Sequence, residues 1–324
     1  MRRLVAVLLL LLLTRGGAAD EAKPQWFRGN THTHTDQSDG DSPPADVVRW
    51  YREHGYHFLV ITDHDKVTVT EGHGLLLIPG EEVTDRLPKK PLHVNAIGLR
   101  TVVKPQGGST PAMVMQRNVD AVREAGGLAQ INHPNFGWAF GLDVLEKIER
   151  ATLLEIASGH PLTNMQGGGG VPSVEAMWDA LLTGGKRIWA VAVDDSHHFK
   201  CSFDDLTVGP GRGWISVRAS ALTEQAILAA IERGDFYAST GVELEDISGG
   251  TRELQVKIRE GRSARFRTQF IGARGKLLSE VSANPAVYRI RGGEGYVRAK
   301  ITDSNGRHAW TQPYFVASRP VSGR

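Results

Sequence analysis

The sequence predicts an α/β domain followed by a small all-β module. Three observations carry this reading. From Trp26 to about Gly241, short apolar runs alternate with amphipathic stretches. After Gly241 the helical periodicity stops. From there on, alternating segments are separated by the turn pairs Gly249-Gly250, Gly292-Gly293 and Asn305-Gly306.

In the first part the expected strands are Trp26–Asn30, His57–Thr62, Leu75–Ile78, His93–Leu99, Leu128–Ile131, Leu153–Ile156 and Ile188–Val193. The expected helices are Ala45–Glu53, Pro111–Glu124, Leu142–Arg150, Ser173–Thr183 and Thr223–Arg233. Pro43-Pro44 opens the first helix, and Gly55, Gly126-Gly127 and Gly184-Gly185 follow the first, second and fourth. The alternation argues for an α/β layer or barrel with a mostly parallel sheet. In the second part, Glu253–Ile258, Arg265–Ile271, Val287–Ile290, Tyr296–Thr302 and Trp310–Val316 read as strands of a β-sandwich of about eighty residues. Gly167–Gly170 reads as a flexible loop, and it lacks the pattern of a phosphate-binding loop.

The N-terminus carries Arg2-Arg3, ten apolar residues from Leu4 to Leu13, and the small residues Gly16, Gly17, Ala18 and Ala19. This is the pattern of a signal peptide, and the run is too short for a membrane-spanning helix. The expected division is a signal peptide at 1–19, a short lead at 20–25, a hydrolase domain at 26–240 and a β module at 241–324. The expected protein is exported, periplasmic or secreted, with no membrane anchor after cleavage. The whole 324-residue chain has a net charge of +2, but residues 1–19 hold three arginines and no acid, so the remainder stands at −1. Neither value argues for a nucleic-acid surface. The single cysteine, Cys201, excludes an internal disulfide framework and a CxxC zinc site.

The chemistry sits in the 12 histidines. His32 and His34, at i and i+2, point to one face of an extended chain, and Asp39 follows in the next loop. An apolar strand ends in Asp63-His64. Another runs into Pro79-Gly80-Glu81-Glu82, and a third begins at His93. Further strands run into Asn132-His133-Pro134 and Asp194-Asp195-Ser196-His197-His198. Such residues gather at strand ends, where active sites of parallel α/β folds lie. Packing alone does not account for so many coincidences. His54, His57, His73 and His308 read as structural or solvated histidines, and His198 as exposed or outside the ligand set. His160, in Ser158-Gly159-His160-Pro161, follows a strand and could line the pocket.

With these pieces in order, the stretch from about Phe27 to Phe199 resembles the polymerase and histidinol phosphatase (PHP) domain family. The matching pieces are His32-Thr-His34 with Ser38-Asp39-Gly40, Thr62-Asp63-His64, Pro79-Gly-Glu-Glu82, His93, Asn132-His133-Pro134 and Asp195-Ser-His197. Trp178–Leu182, Gly234–Gly241 and Ala309–Pro313 also resemble an exported branch described as carbamate-ester-hydrolase-like. The resemblance implies a distorted seven-stranded β/α barrel with two or three divalent metals. It implies that His32 and His34 hold one metal with Glu82 and Asp195, and that Glu82 bridges to a second held by His93 and His133. Asp39, His64 and His197 would hold a third. The family pattern selects Glu82 over Glu81 and Asp195 over Asp194. Asn30 departs from the Asp that many members carry before the first motif.

Imidazole and carboxylate together suit Zn, Mn or Fe. Three carboxylates would not neutralise two or three divalent ions, so the site would favour a small anionic substrate. The expected activity is hydrolysis of a small phosphate ester by a metal-bridging hydroxide. Lys66 and His160 are the candidates for contact with the phosphate or leaving group. Hydrolysis of a carboxylic ester, carbamate or amide is the competing reading. A metal-dependent binding protein, whose β module recognises a glycan or a partner, is another; Trp310 and Tyr314 read as core aromatics, and only an exposed pair would favour a glycan.

Overall fold

A computed structural model describes residues 24–200, 207–261 and 263–316. The expected signal peptide and most of the lead lie outside these residues. No described helix is long and apolar enough to cross a membrane.

The first part contains β1 (Gln25–Asn30), α1 (Pro44–Glu53), β2 (Phe58–Leu59), β3 (Leu76–Leu77), β4 (Gly80–Leu87), β5 (Lys90–Ile97), α2 (Pro111–Glu124) and β6 (Leu128–Ile131). It continues through α3 (Leu142–Leu145), β7 (Leu153–Ser158), α4 (Val174–Thr183), β8 (Trp189–Val193), β9 (Trp214–Ala219), α5 (Glu224–Arg233) and β10 (Phe236–Ser239). Local chemistry explains the helix starts. Thr110, Ser173 and Thr223 each cap a helix by accepting a backbone N–H with the side-chain hydroxyl. The third helix is shorter than its periodicity suggests. After Leu145 the backbone bonds tighten to the i+3 type, and Arg150 turns at φ 66° into β7.

The architecture is mixed α/β. Parallel pairing holds for β1–β2–β3 and for β6–β7–β8. The expectation of a mostly parallel sheet fails elsewhere. β4 and β5 form an antiparallel hairpin around Pro88-Lys89, and β5–β6, β1–β9 and β9–β10 are antiparallel as well. β4, β9 and β10 are absent from the strands expected from periodicity. The hairpin places Lys89 at φ 64°, as a tight two-residue turn requires.

These strands fall into two sheets, one of the order β4-β5-β6-β7-β8 and a larger one containing β3-β2-β1-β9-β10. Among the described residues, no continuous ladder closes them into a barrel. Isolated parallel bridges join them at Thr33–Ser196 and His64–Glu82, just beyond the ends of β1 and β2. The Gly167–Gly170 run forms a turn, with Gly168 and Val171 exchanging both backbone hydrogen bonds. All four glycines have positive φ, which explains why no side chain occupies these positions.

The second part contains β11 (Leu244–Gly249), β12 (Glu253–Ile258), β13 (Phe266–Gly272), β14 (Lys276–Val281), β15 (Ala286–Arg289), β16 (Tyr296–Asp303), β17 (His308–Thr311) and β18 (Tyr314–Phe315). β17 pairs with β10, so the larger sheet runs on through β17, β16, β13 and β14. The sheet β11-β12-β15 packs against it over a core of Val256, Phe270, Tyr288, Val297 and Ile301. Trp310 is buried and Tyr314 partly buried, so the exposed aromatic pair that would favour glycan recognition does not form.

Polar contacts tie the parts together. The side-chain amide of Gln312 accepts from the backbone N–H of Ala190 at 2.9 Å and donates to its carbonyl at 2.8 Å, occupying the edge of β8. Arg298, 1% exposed, grips both carboxylate oxygens of Asp179 on α4 at 2.7 Å and also donates to Glu175. The Tyr296 hydroxyl adds a 2.7 Å bond to Asp179. Removing one partner of such a buried pair strands a charge. Asp179→Ala is therefore expected to lower unfolding free energy by about 3–5 kcal/mol in urea titration, and a loss near zero would contradict this account.

Candidate metal centre

The site lies where the strands of both sheets end. Its floor is a polar face of the five-stranded sheet, set by the period-two alternation of extended chain. Glu82 and Thr84 project from one face of β4, His93 and Asn95 from β5, Gln130 from β6 and Glu155 from β7. Val83, Val94 and Leu154 turn the other way into the hydrophobic core. From the larger sheet, His32 and His34 extend past β1. Backbone bonds hold them beside β8, from Asp195 N–H to the His32 carbonyl and from His34 N–H to the Ser196 carbonyl, both 2.9 Å. Asp195 sits at φ 49°, a left-handed conformation that Asp tolerates better than most residues.

All nine expected ligand positions come together. His32 Nε2 lies 3.1 Å from His34 Nε2, 3.2 Å from Asp195 Oδ1 and 3.4 Å from Glu82 Oε2. His34 Nε2 is 3.4 Å from each of the same two carboxylate oxygens. Ligands about 2.0–2.1 Å from a tetrahedral ion stand about 3.3 Å apart, so these separations fit one cation. The other oxygen of Glu82 lies 2.9 Å from His93 Nδ1 and 3.4 Å from His133 Nε2. Asp39 meets His64 Nε2 at 3.3 Å, His197 Nε2 at 3.4 Å and His34 Nδ1 at 3.5 Å. His64 also turns Nδ1 toward Glu82 Oε2 at 3.1 Å, which joins the groups into one cluster.

The surrounding bonds show why a cation fits. His32 Nδ1 is 2.6 Å from Glu155, so in the neutral ring Nδ1–H donates to the carboxylate and Nε2 faces the cluster as a lone pair. Another imidazole nitrogen and two carboxylate oxygens converge on that lone pair. Without a positive charge between them they repel. In the metal-free protein, protons serve instead. Burial disfavours charge on His32, yet Asp195, Glu155 and Glu82 hold its pKa well above the usual value. Burial is likewise outweighed at His64, raised to about 9 by Asp39 and Glu82, and at His133 and His197, both raised by neighbouring carboxylates. Burial wins at His34, lowered to about 4 with help from His197. The imidazoles in turn hold Glu82, Asp195 and Asp39 below the usual carboxylate range despite burial.

The two competing acids do other work. Glu81 faces away from the cluster and accepts from Val103 N–H. Asp194 accepts from Tyr51 and from the backbone of Arg212 and Gly213. Asn30 fills the position where the family pattern has Asp, with Oδ1 accepting from His32 N–H and Nδ2 donating to Gly213. His160 borders the cluster, its ring 5.9 Å from that of His197. Lys66 is exposed and donates to Gln37 at 2.7 Å, tying together the loops after β1 and β2. His54 stacks on Trp50, and His57 accepts from Arg28 N–H, so both have structural work as expected.

Three supporting residues were not in the expected site. Glu155 accepts from His32, from Gln130 and from His133 N–H. Asp63 accepts from Thr35 N–H, Thr35 Oγ1, Ser38 and Thr68, which shapes the loop carrying His34 and Asp39. Asn132 donates to Glu82 at 2.8 Å. A lone acid inside the apolar run Leu153-Leu154-Glu155-Ile156 was the available signal for the first.

No family model matches the chain, and no curated protein matches it. Among solved structures, a two-domain protein from Bacteroides vulgatus containing a predicted PHP-like metal-dependent phosphoesterase is similar in fold. The TM-score is 0.53 at 16% identity, over 90% of this chain and 95% of that one. An amidohydrolase from Chromobacterium violaceum aligns at TM-score 0.36 and 17% identity, over 53% of this chain and 88% of that one. A protein described as a metal-dependent phosphoesterase from Bifidobacterium adolescentis aligns at 0.38 and 16%, over 54% and 89%.

Two outcomes test the centre. Glu155→Gln is expected to weaken binding of the tightest divalent ion on the order of 10–100-fold in competition titration, because His32 loses its charged support. An unchanged affinity would remove Glu155 from the site. The second concerns pH. His64, raised to about 9, contributes stability that is complete below about pH 6.5 and lost as pH climbs through 9. His34, lowered to about 4, has the opposite sign, and its contribution disappears as pH falls from about 6.5 through 4. The chelated protein should therefore melt highest near pH 6.5, with metal shifting that maximum upward. A flat melting profile from pH 6.5 to 9 would count against the cluster.

Proposed function

We propose that this chain is an exported metal-dependent phosphoesterase of the PHP family that hydrolyses a small phosphate ester. The observation that carries the reading is the convergence of imidazole and carboxylate lone pairs at the spacing of cation ligands, with both oxygens of Glu82 engaged. The fold likeness to the Bacteroides protein supports it. The two bridges between sheets also support a distorted seven-stranded ring of β1, β2 and β4 to β8. Export rests on the pattern of residues 1–19, and the division at 240 on the change of texture there.

In this reading His32, His34, Asp195 and Glu82 hold one ion, Glu82 with His93 and His133 a second, and Asp39 with His64 and His197 a third. Zn, Mn and Fe suit this donor set. When bound, the ions supply Lewis acidity, an acidified water and a positive charge exceeding that of the three carboxylates. The chain's own contribution is orientation. Glu155 fixes the ring of His32 and the backbone of His133, Asp63 fixes the loop of His34 and Asp39, and Asn132 holds Glu82. Each ligand is thus already aimed, which lowers the reorganisation cost of binding and reaction.

The test is phosphate release from a panel of monoesters and diesters. A chelator should abolish it, and zinc, manganese or iron(II) should restore it. A metal-loaded protein that cleaves carboxylic esters, carbamates or amides but no phosphate ester would overturn the reading.

A further inference from the structure

His160 lies outside the nine ligand positions, yet its placement is tightly specified. It follows β7 on the side of the sheet where the ligand loops gather. Its backbone is fixed at both ends. Its N–H donates to Ser158 Oγ at 3.2 Å, and its carbonyl accepts from Thr163 Oγ1 at 2.8 Å. The half-buried ring stands between Phe136 and His197, edge-on to both, at centroid separations of 5.4 Å and 5.9 Å. Phe136 in turn packs against the ring of His133. His160 therefore forms a wall beside the cluster of expected ligand positions.

One hydrogen bond decides what this wall can offer. The backbone N–H of Leu162 lies 3.1 Å from His160 Nδ1. A backbone N–H is only ever a donor, so Nδ1 must be the acceptor. The proton of the neutral ring then sits on Nε2. Nε2 lies on the far edge of the ring from its own loop, and among the described residues no protein group bonds to it.

We propose that His160 contacts the substrate as a neutral hydrogen-bond donor, giving Nε2–H to an oxygen of the phosphate ester. The proposal rests on the phosphoesterase reading. It assigns the residue a donor's role without proton transfer. A hydrogen bond to a charged oxygen makes its loss costly, on the order of 10–100-fold in rate or affinity.

The experiment uses the full chain loaded with zinc, in wild type and in His160→Ala and His160→Gln. Gln carries an N–H near the position of Nε2, whereas Ala carries none. With the best phosphate ester of the panel, H160A should lose about 10–100-fold in kcat/KM. H160Q should recover most of that loss, and neither should remove a limb from the pH profile. Imidazole ¹⁵N spectra should show His160 protonated at Nε2, with that resonance moving when inorganic phosphate is added. H160A within twofold of an active wild type would overturn the inference. So would a ring protonated at Nδ1, or an Nε2 resonance indifferent to phosphate. Those spectra are read whether or not turnover is found. A wild type that is inactive on every phosphate ester counts against the phosphoesterase reading, while the phosphate response of Nε2 still decides the role of His160.

Discussion

The site depends on one buried carboxylate. Glu155 is fully removed from solvent, and its two oxygens accept from His32 Nδ1, Gln130 Nε2 and the backbone N–H of His133. An acid in that position would be costly without these donors. With them, it does two things at once. It turns the Nε2 lone pair of His32 toward the cluster, and it pins the turn that brings His133 over the second oxygen of Glu82. The ligands of different groups are thereby aligned from a single point on β7.

A polar face within a hydrophobic protein survives only if its bonds are nearly complete. Here the bonds run between the sheets rather than along them. Thr31 donates to Gln130, and Asn95 donates to the Thr31 carbonyl. These contacts span the gap that β-ladders leave open. The same residues that hold the ligands therefore also hold the two sheets in register, which couples the folding of the pocket to its chemistry.

Much of this was legible in the sequence, for definable reasons. The residues that gather in the cluster stand out because a His-x-His pair, an Asp-His after an apolar strand and an Asp-x-His after another are locally unusual, and a family resemblance orders them. The helices were found because their caps and apolar periodicity are local. Long-range facts were hidden. Gly80–Leu87 is absent from the expected strands, yet pairing with Lys90–Ile97 makes it one. The antiparallel placement of Trp214–Ala219 between β1 and β10 leaves no mark in period. Glu155 and Asp63 were passed over as ligands because their partners are 123 and 28 residues away for the bonds to His32 and Thr35.

The contact of Gln312 with Ala190 has a consequence for how the two parts belong together. β8 is the last strand of its sheet, and it ends in the residues that lead to Asp195 and His197. A bare last strand is an invitation to pair with a strand of another molecule. A single amide from the second part fills the place such a strand would take, donating and accepting as a backbone would. The C-terminal strands thus guard the open flank of the five-stranded sheet. A chain cut before them would carry the strand that leads to Asp195 and His197 as an adhesive edge.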